Sequence, residues 1–583
     1  MARRGGADVN NAPPPVSRRR RLRAQSELPL TTTDVGERVL WSLGWLSVLL
    51  ASGYALTPAM QGAHPLFFFF FGPIAVLVCL AGIAMAWTLR GAWHRLYVAV
   101  SIALAVVITL VDGLARIRGT TQYLADEGGF NQYATSLLLH GHNPYTANMQ
   151  GALGLFSSAG RTFTMGMTEV LHYSYPAGSL WMQALVQGAG VHHLPLEVLG
   201  IVVWAATGIM LAVMLPPVAR GAVPIILFSA CYAPDFLIGT TDSLLIPFVM
   251  LAVWQWDRFS DPHRHAILRW LGPVGLGLAC SIKQGPWFCV PFLVVGIALE
   301  ARRVSPHWVR DVGGYVAAVI GSFTAVNAPF MIMNWSSWWR GAVLPLTTHM
   351  LPSGAGIVNA VFVGLAPGAH LALFSYAGGV LLVTAVLGMA LYPEVMKRAW
   401  LFVIPLVFFF VSRSFITYYT QYIPAALVAA TTISTERGQL QFPQLRPWRH
   451  GILTMSMATV VTIVVLAFAN PTFTLRINDI ATKRDASLVA VNVTVTNTTG
   501  STQQTSFALV GFSERFDVFL TPQGAYQVTV GPHQQLTVEL HAKDPRGISL
   551  ASSLRTWRLE AVSASADSLS NSAAQSWHGT LAH

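Results

Sequence analysis

Charge is what this chain has least of. Of its 583 residues only 10% are Asp, Glu, Lys or Arg, while 53% are hydrophobic; a soluble domain carries about 25% charged residues. That excludes an ordinary soluble enzyme and points to a polytopic membrane protein. Cysteine is scarce too. Cys79, Cys231, Cys280 and Cys289 all lie inside apolar runs without metal-ligand spacing, so they imply neither a disulfide framework nor a zinc site. No G-x-G-x-x-G turn and no large cytoplasmic domain is present to hold a nucleotide. No small-residue cleavage site follows the first apolar run, so a removable signal peptide is not expected. The net charge of +11 is scattered in short clusters between apolar spans. It reads as an orientation signal, and no nucleic-acid partner is expected.

What is present falls into three parts. Residues 1–36 are polar, with Pro13-Pro14-Pro15 and the basic run Arg18 to Arg21, and read as a disordered tail kept in the cytoplasm. Residues 37–470 read as a transmembrane domain. Apolar runs at 38–57, 66–88 and 96–113 are each long enough to cross a hydrocarbon core of about 30 Å, which puts residues 114–175 outside as a large loop. Further runs follow at 196–216, 222–238, 242–256, 267–283, 286–300, 311–330, 371–393, 399–412, 415–434 and 451–469. The total is about thirteen crossings, with basic segments such as Arg302-Arg303 and Lys397-Arg398 inside. The run 176–191 then has no full crossing to make and reads as a re-entrant or outer-surface helix. The alternative is that 222–256 is divided wrongly.

Residues 471–583 change period. In Leu488 to Asn497 (LVAVNVTVTN), valines alternate with Ala490, Asn492, Thr494 and Thr496, and similar runs recur between turn-rich breaks. The spacing predicts an extracytoplasmic antiparallel β-sandwich of about 100 residues, enough for its own core. A structural or interaction domain and a carbohydrate-binding one both fit.

The stretch Tyr123–Tyr145 (YLADEGGFNQYATSLLLHGHNPY) departs most from its surroundings. Asp126 and Glu127 stand side by side at its start. They either cap a helix beginning near Phe130 or serve the chemistry for which carboxylates beside a membrane are kept. Tyr133, Leu137 and Leu138 form an apolar stripe at helical spacing, with Asn131, Gln132, Thr135 and Ser136 polar, so the helix is expected to lie along the membrane surface. Gly141 and Pro144 break it. A two-histidine metal site at His140 and His142 is the lesser reading.

An acidic pair, an aromatic residue, an amphipathic helix and then Gly141-His142-Asn143-Pro144-Tyr145 resemble the first outer loop of GT-C class glycosyltransferases. Within that class they resemble the bacterial polyprenyl-phosphate-mannose-dependent mannosyltransferases. Tyr175-Pro176, Asp242, Lys283-Gln284, Arg413 and Tyr418-Tyr419 fit the same pattern, so the likeness covers most of 96–437. Two extra spans before the loop and the C-terminal sandwich depart from the simplest members.

The resemblance implies a mainly α-helical polytopic enzyme that takes a sugar, mannose or another hexose, from a polyprenyl-phosphate donor. It passes the sugar to a glycolipid or glycan acceptor outside the membrane, with inversion. Asp126 matches the residue that deprotonates the acceptor hydroxyl, and Glu127 shares that role or binds the acceptor. Lys283 and Arg413 are the candidates to meet the departing phosphate, though both also fit interfacial snorkelling. Arg340, among Trp335, Trp338 and Trp339, is either a phosphate contact or an interfacial anchor. His142, Asn143, Tyr145, Tyr175, Asp242, Gln284, Tyr418 and Tyr419 are the candidate substrate contacts. A single phosphate can be met by Lys and Arg alone, so no metal or other cofactor is expected, although a divalent ion is compatible with the loop.

Two other classes compete. A transporter or lipid flippase would be expected to show internal repeats and charges at mid-membrane; no clear repeat is visible. An assembly protein with a partner-binding sandwich would not require a carboxylate-bearing loop.

Overall fold

The computed structural model describes residues 32–59, 65–156, 161–228, 239–348, 350–358, 361, 365–433, 447–469, 471–483, 487–511, 515–543 and 556–576. Most of the basic tail, Cys231, Arg437 and Arg446 lie outside these. The chain divides into two compact units, one of residues 1–108 with 215–229, the other of 109–214 with 230–583.

The smaller unit holds α1 (Thr32–Ala59), α2 (Pro65–Thr88), most of α3 (Gly91–Gly119) and, after α4 to α6 of the larger unit, α7 (Ala222–Phe228). Trp41, Trp45, Cys79, Ala86, Tyr97 and Val98 form its core. The Trp45 indole donates to the Tyr97 hydroxyl at 2.8 Å, which gives a buried polar edge its partner. Arg38, 6% exposed, donates to the Ala86 carbonyl near the end of α2 at 2.8 Å, where cations suit orphan carbonyls.

The larger unit begins its loop region with α4 (Asp126–Leu139), followed by α5 (Gly178–Gly188) and α6 (Pro195–Met214). After α7 come α8 (Asp242–Val253), α9 (Ala266–Ile282), α10 (Cys289–Val304), α11 (Trp308–Met333), α12 (Trp335–Ala342), α13 (Leu371–Leu391), α14 (Pro393–Phe408), α15 (Ile416–Thr420), α16 (Ile423–Thr432) and α17 (Pro447–Ala469). Among the described residues, five helices are long and apolar enough to cross a membrane: Gly91–Gly119, Pro195–Met214, Trp308–Met333, Leu371–Leu391 and His450–Ala469. This is a multi-pass membrane protein. Several expected spans are shorter helices. The run 242–256 keeps only the 12 residues of α8, and 415–434 is broken into α15 and α16 by Pro424 near the start of the second. The 11 residues of α5 are too few for a crossing at about 1.5 Å each, in line with the expectation for 176–191.

Strands follow the helices, but not only after residue 470. Short β1 (Ser353–Gly354) pairs in parallel with β3 (Arg413–Ser414). The C-terminal antiparallel sheets run through β4 (Phe473–Thr482), β5 (Leu488–Asn497), β6 (Gln503–Val510), β7 (Arg515–Leu520), β8 (Val528–Val530), β9 (Gln535–Ala542), β10 (Thr556–Ser563), β11 (Ser568–Asn571) and β12 (Gln575–Ser576). β7 pairs with β6 along its first half and with β9 at its end, so it joins the strands β11-β10-β6 to the strands β9-β5-β4. Val491, Val493 and Val495 of β5 and Phe507 and Leu509 of β6 meet Trp557 and Leu559 of β10 in one core. From Val491 to Thr496 the alternation is a burial alternation; before it Val489 is only partly buried and Ala490 is buried. A strand from before residue 471 joins them: β2 (Gly368–His370), which leads into α13, pairs with β11 and completes the sheet edge.

Candidate active site

The site is built where α4, α8 and α9 converge. The sequence expectation that Asp126 and Glu127 cap a helix starting near Phe130 is overturned. The helix starts at Asp126 itself, its N-cap is Ala125, and no side chain caps it. Both carboxylates occupy the first turn, where the helix dipole favours negative charge, and both turn outward to other segments. Gly128 and Gly239 make the approach possible. A Cβ on Gly128 would lie 2.7 Å from the Gly239 carbonyl and 2.6 Å from the Tyr123 ring.

The buried side of α4 mixes apolar Phe130 and Ala134 with polar Asn131 and Thr135. Asn131 and Thr135 are fully buried, while Tyr133, Leu137 and Leu138 are only partly so. For Asn131 the physical reason is a polar network. Asn131 Oδ1 accepts from the Tyr173 hydroxyl at 2.8 Å and the Ser179 hydroxyl at 2.9 Å, and its amide donates to Gln183 of α5. A buried amide so satisfied costs little, and the apolar stripe is left facing outward.

Glu127 is held tightly. Its Oε1 accepts from the Thr241 amide at 2.8 Å and from the Thr241 hydroxyl, and both oxygens receive Lys283 Nζ at 3.0–3.1 Å. Lys283 follows the last residue of α9 in extended conformation and also meets Asp242 Oδ1 at 2.8 Å. Glu127, Asp242 and Lys283 are 7%, 3% and 5% exposed. The rings of Tyr175 and Tyr418 flank the ammonium at 5.6 and 5.2 Å, adding cation–π attraction. Asp242 is the buried first residue of α8. One cation between two carboxylates leaves the trio one charge negative.

Asp126 is placed differently. It is half-buried and accepts a hydrogen bond from the Thr162 hydroxyl, which itself accepts from Arg413 Nη1 at 2.6 Å. Burial pushes the Asp126 carboxyl above the ordinary aspartate range, although Arg413 and the Thr162 hydroxyl pull the other way; Glu127 next to it adds to the rise. Asp126 is thus the accessible carboxylate and Glu127 the committed one. Arg413, in β3, is half-buried with its guanidinium carbon 5.3 Å from the Phe415 ring centre.

The remaining candidates divide. Gly141, at φ 79°, closes α4: its amide donates to the Leu138 carbonyl and that of His142 to Leu137, both at 2.9 Å, a Schellman ending that only a residue tolerant of positive φ makes cheaply. Asn143 Oδ1 accepts from the Tyr145 amide at 3.0 Å, and Tyr145 donates to the Tyr175 carbonyl at 2.7 Å. The motif therefore builds a turn that fixes Tyr175. His142 is exposed. His140 Nδ1 lies 2.7 Å from the Ser136 carbonyl of its own helix. Gln284 spends its amide on the carbonyls of Ser174 and Ala342, at 3.0 and 2.9 Å. Tyr419 meets the Ser414 hydroxyl at 2.5 Å. Arg340 is exposed on α12; burial, and then the charge of Arg340, lower the His172 pKa. Among the described residues, no group of three or more His, Cys, Asp or Glu is arranged to hold a metal ion.

Two contributors escaped the sequence reading, Thr162 and Thr241. Each acts on a residue brought from far along the chain. The alternation Thr162-Phe163-Thr164-Met165 before Gly166 was a hairpin signal that could have marked the first. Against known proteins the chain stands apart: no family model, curated protein or solved structure matches it.

Proposed function

We propose that the chain is a membrane glycosyltransferase of the GT-C kind. It would move a hexose such as mannose from a polyprenyl-phosphate donor to a glycolipid or glycan acceptor, with inversion and with Asp126 as general base. The observation that carries this reading is the Asp126–Thr162–Arg413 line: a half-buried carboxylate and a guanidinium held on either side of one hydroxyl. Inverting transfer from a lipid phosphate needs those two groups at one place. In the step, Asp126 takes the proton of the acceptor hydroxyl as its oxygen bonds to the sugar's anomeric carbon. The bond from that carbon to the phosphate oxygen breaks, and the lipid phosphate departs towards Arg413, whose planar fork suits its oxygens. A carboxylate with a raised pKa is the stronger base for this work. Lys283, neutralising Glu127 and Asp242, supports the wall of the site in this reading instead of meeting the phosphate. About thirteen crossings, a cytoplasmic N-terminus and an extracytoplasmic C-terminal domain belong to the same proposal.

A buried charged trio among apolar helices also favours a second reading, a transporter or flippase. One experiment separates them. Membranes containing the wild-type protein or Asp126→Asn are given a radiolabelled sugar on polyprenyl phosphate. The reading predicts transfer by the wild type and a loss of about 100-fold or more in the variant. A folded variant with full activity would remove Asp126 as the base. Absent transfer, with movement of a solute or lipid across vesicles by the purified protein, would establish the transporter.

A further inference from the structure

Residues 161–170 form a hairpin that runs from the site to the C-terminal sheets. The Val170 amide donates to the Thr162 carbonyl at 2.9 Å, Phe163 bridges Glu169, and the Met167 amide donates to the Thr164 carbonyl at 3.0 Å. Arg161 faces Glu169 at 3.5 Å across its base. At the tip Met167 takes φ 61°, a left-handed conformation that a residue with a Cβ holds only where its surroundings impose it. The surroundings are visible. Met165 and Met167 are 1% and 5% exposed and share one apolar cluster with Ala508 of β6, Val562 of β10, Leu569 of β11 and Ala369 of β2. Gly166 between them faces Gln527.

The hairpin is also stitched to the segment that carries Arg413. The Leu351 amide donates to the Phe163 carbonyl at 2.8 Å, and Thr164 bridges Met350. Two residues further on, Ser353 and Gly354 pair with Arg413 and Ser414. The Thr162 hydroxyl has one proton, given to Asp126, and a lone pair that accepts from Arg413.

We infer that Thr162 is a positioning residue, whose hydroxyl sets the distance between Asp126 and Arg413, and that the C-terminal sheets hold it there by gripping the Met165–Met167 tip. This rests on the proposed glycosyl transfer for its purpose, but not for its geometry. The sheets then have a task at the site without touching a substrate. The groups that face Asp126 are Arg413 from β3, Glu127 from its own helix and Tyr175 from the following loop. Among the described residues, Thr162 is the one that hydrogen-bonds both the carboxylate and the guanidinium.

The test uses the full-length protein in detergent, with Thr162→Val, which keeps the side chain's shape, and Thr162→Ser, which keeps the hydroxyl. The Asp126 carboxyl is titrated by difference infrared spectroscopy against Asp126→Asn, with no substrate present. Loss of a hydrogen bond to the charged form raises a carboxyl pKa. Thr162→Val should therefore shift the Asp126 titration up by about one pH unit, and Thr162→Ser should restore it. Transfer assays should show the same upward move of the acid limb, with kcat falling and the donor KM changed less. A titration unmoved by Thr162→Val, or moved equally by Thr162→Ser, overturns the inference. A uniform loss of activity at all pH values with an unmoved titration does so as well. If the wild type transfers no sugar, the proposed function fails, while the infrared titration still decides the role of Thr162.

Discussion

Lys283 Nζ lies 3.0 Å from Glu127 Oε2, in a place where neither side chain reaches a tenth exposure. The pair joins the end of α9 to the start of α4, and Asp242 draws α8 to the same ammonium. Removing the cation would strand two carboxylates. Lys283→Met is expected to cost about 3–5 kcal/mol, read as a fall in Tm in detergent. Glu127→Gln should cost less, because the Asp242–Lys283 pair survives and the trio becomes neutral. Equal costs would show that the trio does not act as a charge balance.

Asp126 makes a prediction with a sign. An acid whose pKa rises on folding binds more protons in the native state than in the unfolded one, so stability falls as pH rises. Its contribution is fully present below the ordinary aspartate value of about 3.9 and is lost as pH climbs through the raised native value. Asp126→Asn does not titrate. The Tm of the wild type minus that of the variant should therefore decline across that window. In transfer assays the acid limb should belong to Asp126 and lie above the ordinary range. A Tm difference that rises with pH would mean that the attraction of Arg413 outweighs burial.

These two predictions show what could be read from residues alone. Asp126, Glu127, Lys283 and Arg413 stood out because charge is scarce in the chain, and scarcity is visible in a sequence. Their partners were not. Thr162 meets Arg413 across 251 positions and Glu127 meets Lys283 across 156, and no local period encodes such pairings. The burial of Asn131 on α4 was hidden for a related reason. Periodicity reports which residues share a side, but Asn131 is buried because Tyr173, Ser179 and Gln183 supply partners from other segments. The strands were legible because β5 carries its own alternation. β2, three residues beside an apolar helix, carries none.

Tyr145→Phe tests the turn after α4. It deletes the hydrogen bond to the Tyr175 carbonyl and should cost about 1 kcal/mol. If Tyr175 is held in place by it, the donor or acceptor KM should rise with little change in kcat. An unchanged KM would leave the turn a purely structural feature.

Two glycine substitutions give opposite results if the packing is as described. Gly128→Ala would drive a methyl into the Gly239 carbonyl and the Tyr123 ring. It should cost about 1–3 kcal/mol and displace Glu127 from Thr241, lowering activity. Gly188→Ala, with open space at the last turn of α5, should be neutral or stabilise by about 0.4–1 kcal/mol. Thermal melts of both variants check the contrast.

The pairing of β2 with β11 also has a consequence for how the protein is made. Strand β11 cannot find its outer neighbour among the residues that follow α17; that neighbour was synthesised before α13. The Gly368–His370 strand must wait for that partner while α13 to α17 and most of the sheets are translated. A newly made chain therefore passes through a stage in which an open strand edge is available to the wrong partner. Closing that edge needs both ends of this span of sequence, and with the Met165–Met167 tip it fastens the C-terminal sheets to residues made long before them.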